Sequence, residues 1–144
     1  MKIVRILLIS LHVFVGLGGV AGGLGAILNP QAPMGATVEM LKNSPFTDFL
    51  IPGLFLFVVI GLGNLTAAGM FLLKLKVQGY ISGCIAGALA AWIVVQCLMI
   101  QAVVFLHVLF FCIGVVQGLL SLVLLAEHRL FPTDVLLKLC RKKT

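Results

Sequence analysis

The sequence predicts an all-α polytopic membrane protein: a four-transmembrane-helix bundle with both ends in the cytoplasm. Three observations predict it. Of 144 residues, 62% are hydrophobic and only 10% charged, whereas a soluble domain carries about 25% charged residues to keep its surface in water. The apolar residues fall in runs long enough to cross a bilayer, which takes about 20 residues each. The basic residues gather between and beyond those runs, where they fix orientation. Four spans and their short connections occupy nearly the whole chain and leave no room for a folded extramembrane catalytic domain.

The first span is expected over residues 6–28, after Lys2 and Arg5. Leu24-Gly25-Ala26 has the small residues of a signal-peptide cleavage site, but the apolar run exceeds the length of a signal core. An uncleaved helix is therefore expected. Asn29-Pro30 ends it, and Pro33 and Gly35 keep it from resuming. Residues 29–48 form an outer loop. In it Met34, Val38 and Leu41 have the spacing of one helical face, which predicts a short helix lying in the membrane interface. Ser44-Pro45 reads as a helix start, serine capping and proline in the first helical position, with Asp48 near the positive helix end. The second span is expected over residues 49–73, with a bend or loosened turn at Pro52, which lacks a backbone donor.

Lys74 and Lys76 close that span, and from Gln78 to Ala126 no charged residue occurs. As one helix this run would reach about 75 Å, against a hydrocarbon core of about 30 Å, so it must turn back once. The polar residues between Gln101 and His107 are the best anchors for the turn. They place the third span at 80–100 and the fourth at 105–126. Residues 127–144 form a basic cytoplasmic tail. Pro132-Thr133-Asp134 can open a further helix there. Its apolar residues oppose Lys138, Arg141, Lys142 and Lys143, a pattern that anchors to an anionic leaflet at about 1 kcal/mol per basic residue.

Orientation follows from the ten Lys and Arg residues. Two precede the first span, two join the second to the third, and five lie in the tail; the outer loop has Lys42 alone. Cytoplasmic segments carry the excess. The net charge of +6 is thus a matter of topology, and no nucleic-acid partner is expected.

Lipid gives helices no hydrophobic reason to associate, so small residues that permit close contact must do so. Gly18 and Gly22, Gly19 and Gly23, Gly63 and Ala67, Gly79, Gly83 and Gly87, and Gly114 and Gly118 form such seams. They favour a tight bundle, a homo-oligomer or a place in a larger membrane complex, with lipids as the other partners.

No Asp, Glu, Lys or Arg falls deep in a span. Ion-coupled transport relies on such residues and is disfavoured. The neutral polar residues sort by depth: His12 and Asn64 towards the inner face, Gln117 near the middle, Gln96 and His107 towards the outer face. One reading makes His12, Asn64, Gln117 and Gln96 a polar pocket or pathway; the other makes them interhelical hydrogen bonds. Trp92 is placed mid-span rather than at the interface that tryptophan prefers, and Gln96 shares its face one turn on. A ligand or lipid pocket beside this pair is the sharper expectation. Haem between His12 and His107 is disfavoured because the two lie at opposite depths. Cys84, Cys97, Cys112 and Cys140 form no C-x-x-C pair and have no zinc spacing. No metal, no cofactor and no catalytic residue is expected.

The stretch Ser44-Pro45-Phe46-Thr47-Asp48-Phe49-Leu50-Ile51-Pro52-Gly53-Leu54 resembles a signature of small, uncharacterised bacterial membrane proteins with four spans. The first helix ending in Ile27-Leu28-Asn29-Pro30 and the Trp92/Gln96 pair fit the same pattern. The resemblance implies a multi-pass protein of the bacterial cytoplasmic membrane and brings no activity with it. The functional expectation is a non-catalytic membrane protein that binds a membrane partner or lipid. The alternative is an oligomeric pore or transporter for a small neutral or hydrophobic solute.

Overall fold

A computed structural model describes residues 2–128 and residue 130. The tail, with Lys138, Arg141, Lys142, Lys143 and the expected helix start at Pro132–Asp134, lies outside the described residues. The described chain forms four long helices: α1 (Lys2–Leu28), α2 (Leu50–Leu72), α3 (Gln78–Ile100) and α4 (Phe105–Glu127), each long and apolar enough to cross a membrane. The protein is a multi-pass membrane protein of all-α architecture. The helices run alternately up and down. One end of the bundle carries the start of α1 and the α2–α3 turn; we call it the terminal end. The other carries the long loop over residues 29–49 and the α3–α4 turn; we call it the loop end.

The helices start and stop for local reasons. α1 already winds from Lys2, so the basic residues form its first turn. At its far end the Asn29 amide donates to the Ala32 carbonyl at 3.0 Å, closing a turn just before Pro33. The loop contains two single 3-10 turns, Pro33–Gly35 and Val38–Leu41, in place of the expected interfacial helix. Met34 and Gly35 have φ of 49° and 86°, left-handed values that no helix can pass through. Met34 is consequently 80% exposed while Leu41 is 2% exposed, so the two do not share a face.

α2 starts at Leu50, six residues after the serine expected to cap it. The Ser44 hydroxyl instead donates to the Leu41 carbonyl at 2.8 Å. Asp48 takes over at the helix entrance, its carboxylate accepting from the Leu50 N–H at 2.9 Å. Because the helix begins at Leu50, Pro52 lies in its first turn, where no N–H has an intrahelical acceptor to lose. Pro52 therefore causes no bend. The irregularity comes later, as a π-helical stretch over Leu56–Leu62, whose looser winding takes up an additional residue.

Left-handed residues close both remaining turns. Lys74 has φ of 54° and Gln101 has φ of 54°, a conformation in which helices commonly end. Gln101 holds the α3 end with its own side chain, the amide donating to the Leu98 carbonyl at 2.6 Å. The chain thus turns within the stretch that the polar anchors mark.

α1 and α2 pack most closely. A Cβ on Gly19 would come within 2.8 Å of the Gly61 nitrogen, and one on Gly61 within 2.8 Å of the Val20 nitrogen. Only two glycines facing each other allow this approach. Three apolar clusters then fill the bundle. At the terminal end Leu8, Phe71 and Leu124 meet. Midway come Val15, Ile60, Leu89, Trp92 and Ile93. At the loop end Ala26, Leu41, Phe49 and Met99 seal the bundle under the loop, and the Phe49 N–H donates to the Pro30 carbonyl at 3.0 Å.

Candidate functional site

A polar cluster interrupts the apolar core towards the terminal end, and every helix contributes to it. His12 of α1, Asn64 of α2, Ser82 of α3, and Gln117 and Ser121 of α4 are all 0% exposed. In a bilayer these groups have no water to turn to, so whatever partners they have come from the protein.

The Asn64 amide nitrogen donates to the Ile60 carbonyl in its own helix at 2.7 Å. That bond fixes the orientation of the amide and leaves Oδ1 as an acceptor. Asn64 Oδ1 lies 2.7 Å from His12 Nδ1, so Nδ1 carries a proton and donates. His12 Nε2 lies 2.7 Å from Ser82 Oγ. Ser82 Oγ lies 2.6 Å from Ser121 Oγ, and Ser121 Oγ lies 2.7 Å from the Gln117 carbonyl oxygen. The Gln117 side-chain amide covers the cluster. Its nitrogen donates to Asn64 Oδ1 at 3.3 Å and lies 3.1 Å from His12 Nδ1; its Oε1 is buried without a partner. The Phe71 ring stacks on the imidazole, with centroids 6.2 Å apart.

The second feature lies towards the loop end. Trp92 packs in the middle core and stacks on Phe55 at a centroid distance of 4.3 Å. Its indole N–H is covered by protein and has no acceptor. Beside it lies a cavity of about 370 Å³ between the helices, lined by Val15, Gly18, Gly22, Leu56, Trp92, Gln96, His107 and Phe110. Met34, Val104 and Leu106 also line it, and all three are exposed. Gly18 and Ala21 of α1 border it and are exposed as well, so the cavity is open on the flank of α1. The glycines of α1 make one wall flat, and Gln96 and His107 are the polar side chains in it. His107 is engaged at the start of α4, its Nδ1 accepting from the Val104 N–H at 3.3 Å.

The structure therefore divides the expected site in two. It brings His12, Asn64 and Gln117 together but leaves Trp92 and Gln96 apart from them, in a cavity whose lining includes none of the three. The expected polar pathway through all four of His12, Asn64, Gln117 and Gln96 is not formed. Close packing around the cluster brings its polar atoms into direct contact, and no space remains between them. Ser82 and Ser121 are essential members that the sequence reading passes over. Their signal is depth: both lie within two turns of the helix ends at the terminal end, in the layer of His12 and Asn64.

Among the described residues no three His, Cys, Asp or Glu side chains converge to hold a metal ion. Comparison with protein-family models, with curated proteins and with solved structures finds no match.

Proposed function

We propose that this protein is a non-catalytic component of the bacterial cytoplasmic membrane that holds the acyl chain of a membrane lipid in the cavity beside Trp92. The observation that carries the reading is the cavity's form and chemistry. It opens on a flank that faces lipid, it has the volume of a small-ligand site, and its walls are apolar apart from Gln96 and His107. Among the described residues no charged side chain lines it, which suits a hydrocarbon chain rather than a charged headgroup. Gln96 stands where an ester or amide at the top of such a chain would find a hydrogen bond. The Lys and Arg distribution supports an orientation with both ends in the cytoplasm, which puts the cavity in the outer leaflet. The engagement of His12, Asn64 and Gln117 with one another weighs against a pore, since groups lining a pore would face water.

The chain has a single tryptophan, so its fluorescence reports directly on the cavity. In liposomes, lipids brominated along the acyl chain quench Trp92 strongly. Gly18→Leu, which fills the flat wall where a Cβ would already lie 3.4 Å from Phe110, reduces that quenching. Equal quenching in the two proteins, or none in the unmodified one, overturns the proposal.

A further inference from the structure

We infer that the His12 cluster is a proton-binding site, in which an incoming proton reverses a relay of hydroxyl groups without moving the helices. The inference is independent of the lipid cavity and rests on three observations: closure, the number of protons the cluster holds, and the setting of the imidazole.

Closure comes first. His12, Asn64, Ser82, Gln117 and Ser121 are fully enclosed, and their polar atoms touch directly at 2.6 to 2.7 Å along the chain of contacts. A site so filled takes no ion and no organic ligand. A proton needs no volume.

The proton count comes next. Four contacts run in sequence: Asn64 Oδ1 to His12 Nδ1, His12 Nε2 to Ser82 Oγ, Ser82 Oγ to Ser121 Oγ, and Ser121 Oγ to the Gln117 carbonyl. The two ends of this file are both pure acceptors, the Asn64 carbonyl oxygen and a backbone carbonyl. Each contact needs one hydrogen. A neutral imidazole supplies one and each serine one, which leaves the file one hydrogen short. With Nδ1 protonated, Ser82 donates to Nε2 and Ser121 donates to Ser82, and the contact with the Gln117 carbonyl is unmade. When a proton arrives at Nε2, that nitrogen becomes a donor. Ser82 rotates its hydrogen to Ser121, and Ser121 rotates its own to the Gln117 carbonyl. All four contacts are then satisfied, the cluster carries one positive charge, and no heavy atom has moved. The 2.7 Å between Ser121 Oγ and the Gln117 carbonyl is the made contact of the charged state, and the Gln117 side-chain nitrogen, 3.1 Å from Nδ1, faces a donor in both states.

One neighbour favours the charged state, against the cost of enclosing a charge without a counter-ion. Phe71 stacks on the imidazole with centroids 6.2 Å apart, and an aromatic face attracts a cation at about this range. Among the described residues no cation touches the ring. α2 and α3 carry no charged residue along their lengths, and Tyr80 and Cys84 of α3 and Cys112 of α4 are exposed on the outside. Arg5 lies two turns before His12 on α1, and Glu127 ends α4. Gln78, one turn before Ser82 on α3, is 6% exposed, and its Oε1 is buried with no partner among the described residues.

The test is nitrogen NMR on the full-length chain in liposomes, with His107→Gln and His128→Gln so that His12 is the one imidazole. At neutral pH the spectrum shows a neutral ring protonated at Nδ1. On acidification both nitrogens become protonated, reversibly and with unchanged helix content. Ser82→Ala removes the acceptor for Nε2–H and lowers the doubly protonated fraction at a given acidic pH about tenfold, the scale of one hydrogen bond to a charged group. Ser82→Thr restores it. If the double variant does not fold, the same signals are read in the unmodified chain, where slow exchange with water distinguishes the enclosed ring. A ring protonated at Nε2 at neutral pH overturns the inference. So does a ring that stays neutral until the helices unfold, or a Ser82→Ala variant that titrates like the parent.

Discussion

At the scale of single residues, the question is why a bilayer-embedded core keeps a histidine. His12 satisfies both ring nitrogens on side chains from two other helices, Asn64 and Ser82. Each such bond contributes only about 0.6 kcal/mol in a membrane, but an orphaned donor costs more than a bond contributes. Asn64→Leu leaves the Nδ1 hydrogen without its acceptor and is expected to destabilise the bundle by about 1–3 kcal/mol. Replacing His12 and Asn64 together by leucine removes donor and acceptor at once and costs less than the sum of the two single changes. Reversible unfolding in bicelles measures both. His12, Asn64 and Gln117 were legible in the sequence because uncharged polar residues stand out in apolar runs and counting from the helix ends gives their depth. Ser82 and Ser121 were not. A serine in a helix has an acceptor within reach in its own backbone, as Ser121 has in the Gln117 carbonyl 2.7 Å away, so its presence alone signals nothing. Trp92 and Gln96 were legible as a pair on one face of α3, but the space beside them depends on how all four helices pack around it, which no local pattern records.

At the scale of elements, the helices were legible and their entrances were not. Charge-free length sets a span, and the basic residues after α2 and the polar residues after α3 mark where each ends. The start of α2 depends instead on a competition within the loop. Ser44 bonds backward to Leu41 and Asp48 bonds forward to Leu50, and both are good capping residues. Tertiary anchoring decides between them, since Phe49 is buried and its N–H is tied to Pro30 across the loop. The glycine seams were legible as a class, but only packing tells which are used. Gly19 meets Gly61 across the α1–α2 contact, whereas Gly87 has no neighbour where a Cβ would go. Gly61→Ala is expected to force α1 and α2 apart and to cost about 1–3 kcal/mol. Gly87→Ala is expected to stay within about 0.5 kcal/mol of the parent. The pair of unfolding midpoints distinguishes an engaged seam from an open one.

At the scale of the whole molecule, an even number of spans returns the chain to the side it left. Tags at the two termini are expected to be accessible from the same face of the membrane, the cytoplasmic one, in protease-protection measurements on oriented vesicles. Opposite faces would require a helix to lie outside the bundle. The loop over residues 29–49 caps the far end through Leu41 and Phe49, while among the described residues the other end is closed by the tight turn at Lys74. The polar cluster also bears on how such a molecule is made. Each helix brings to it one or two groups that are polar but uncharged, and a lone serine, asparagine, glutamine or neutral histidine is a modest burden for an isolated segment in lipid. Every span can therefore enter the bilayer by itself, before its neighbours are synthesised. The matching of donors to acceptors comes only when all four have arrived. Membership of the finished bundle is thus checked at a single layer, and a helix that enters in the wrong register leaves that layer incomplete.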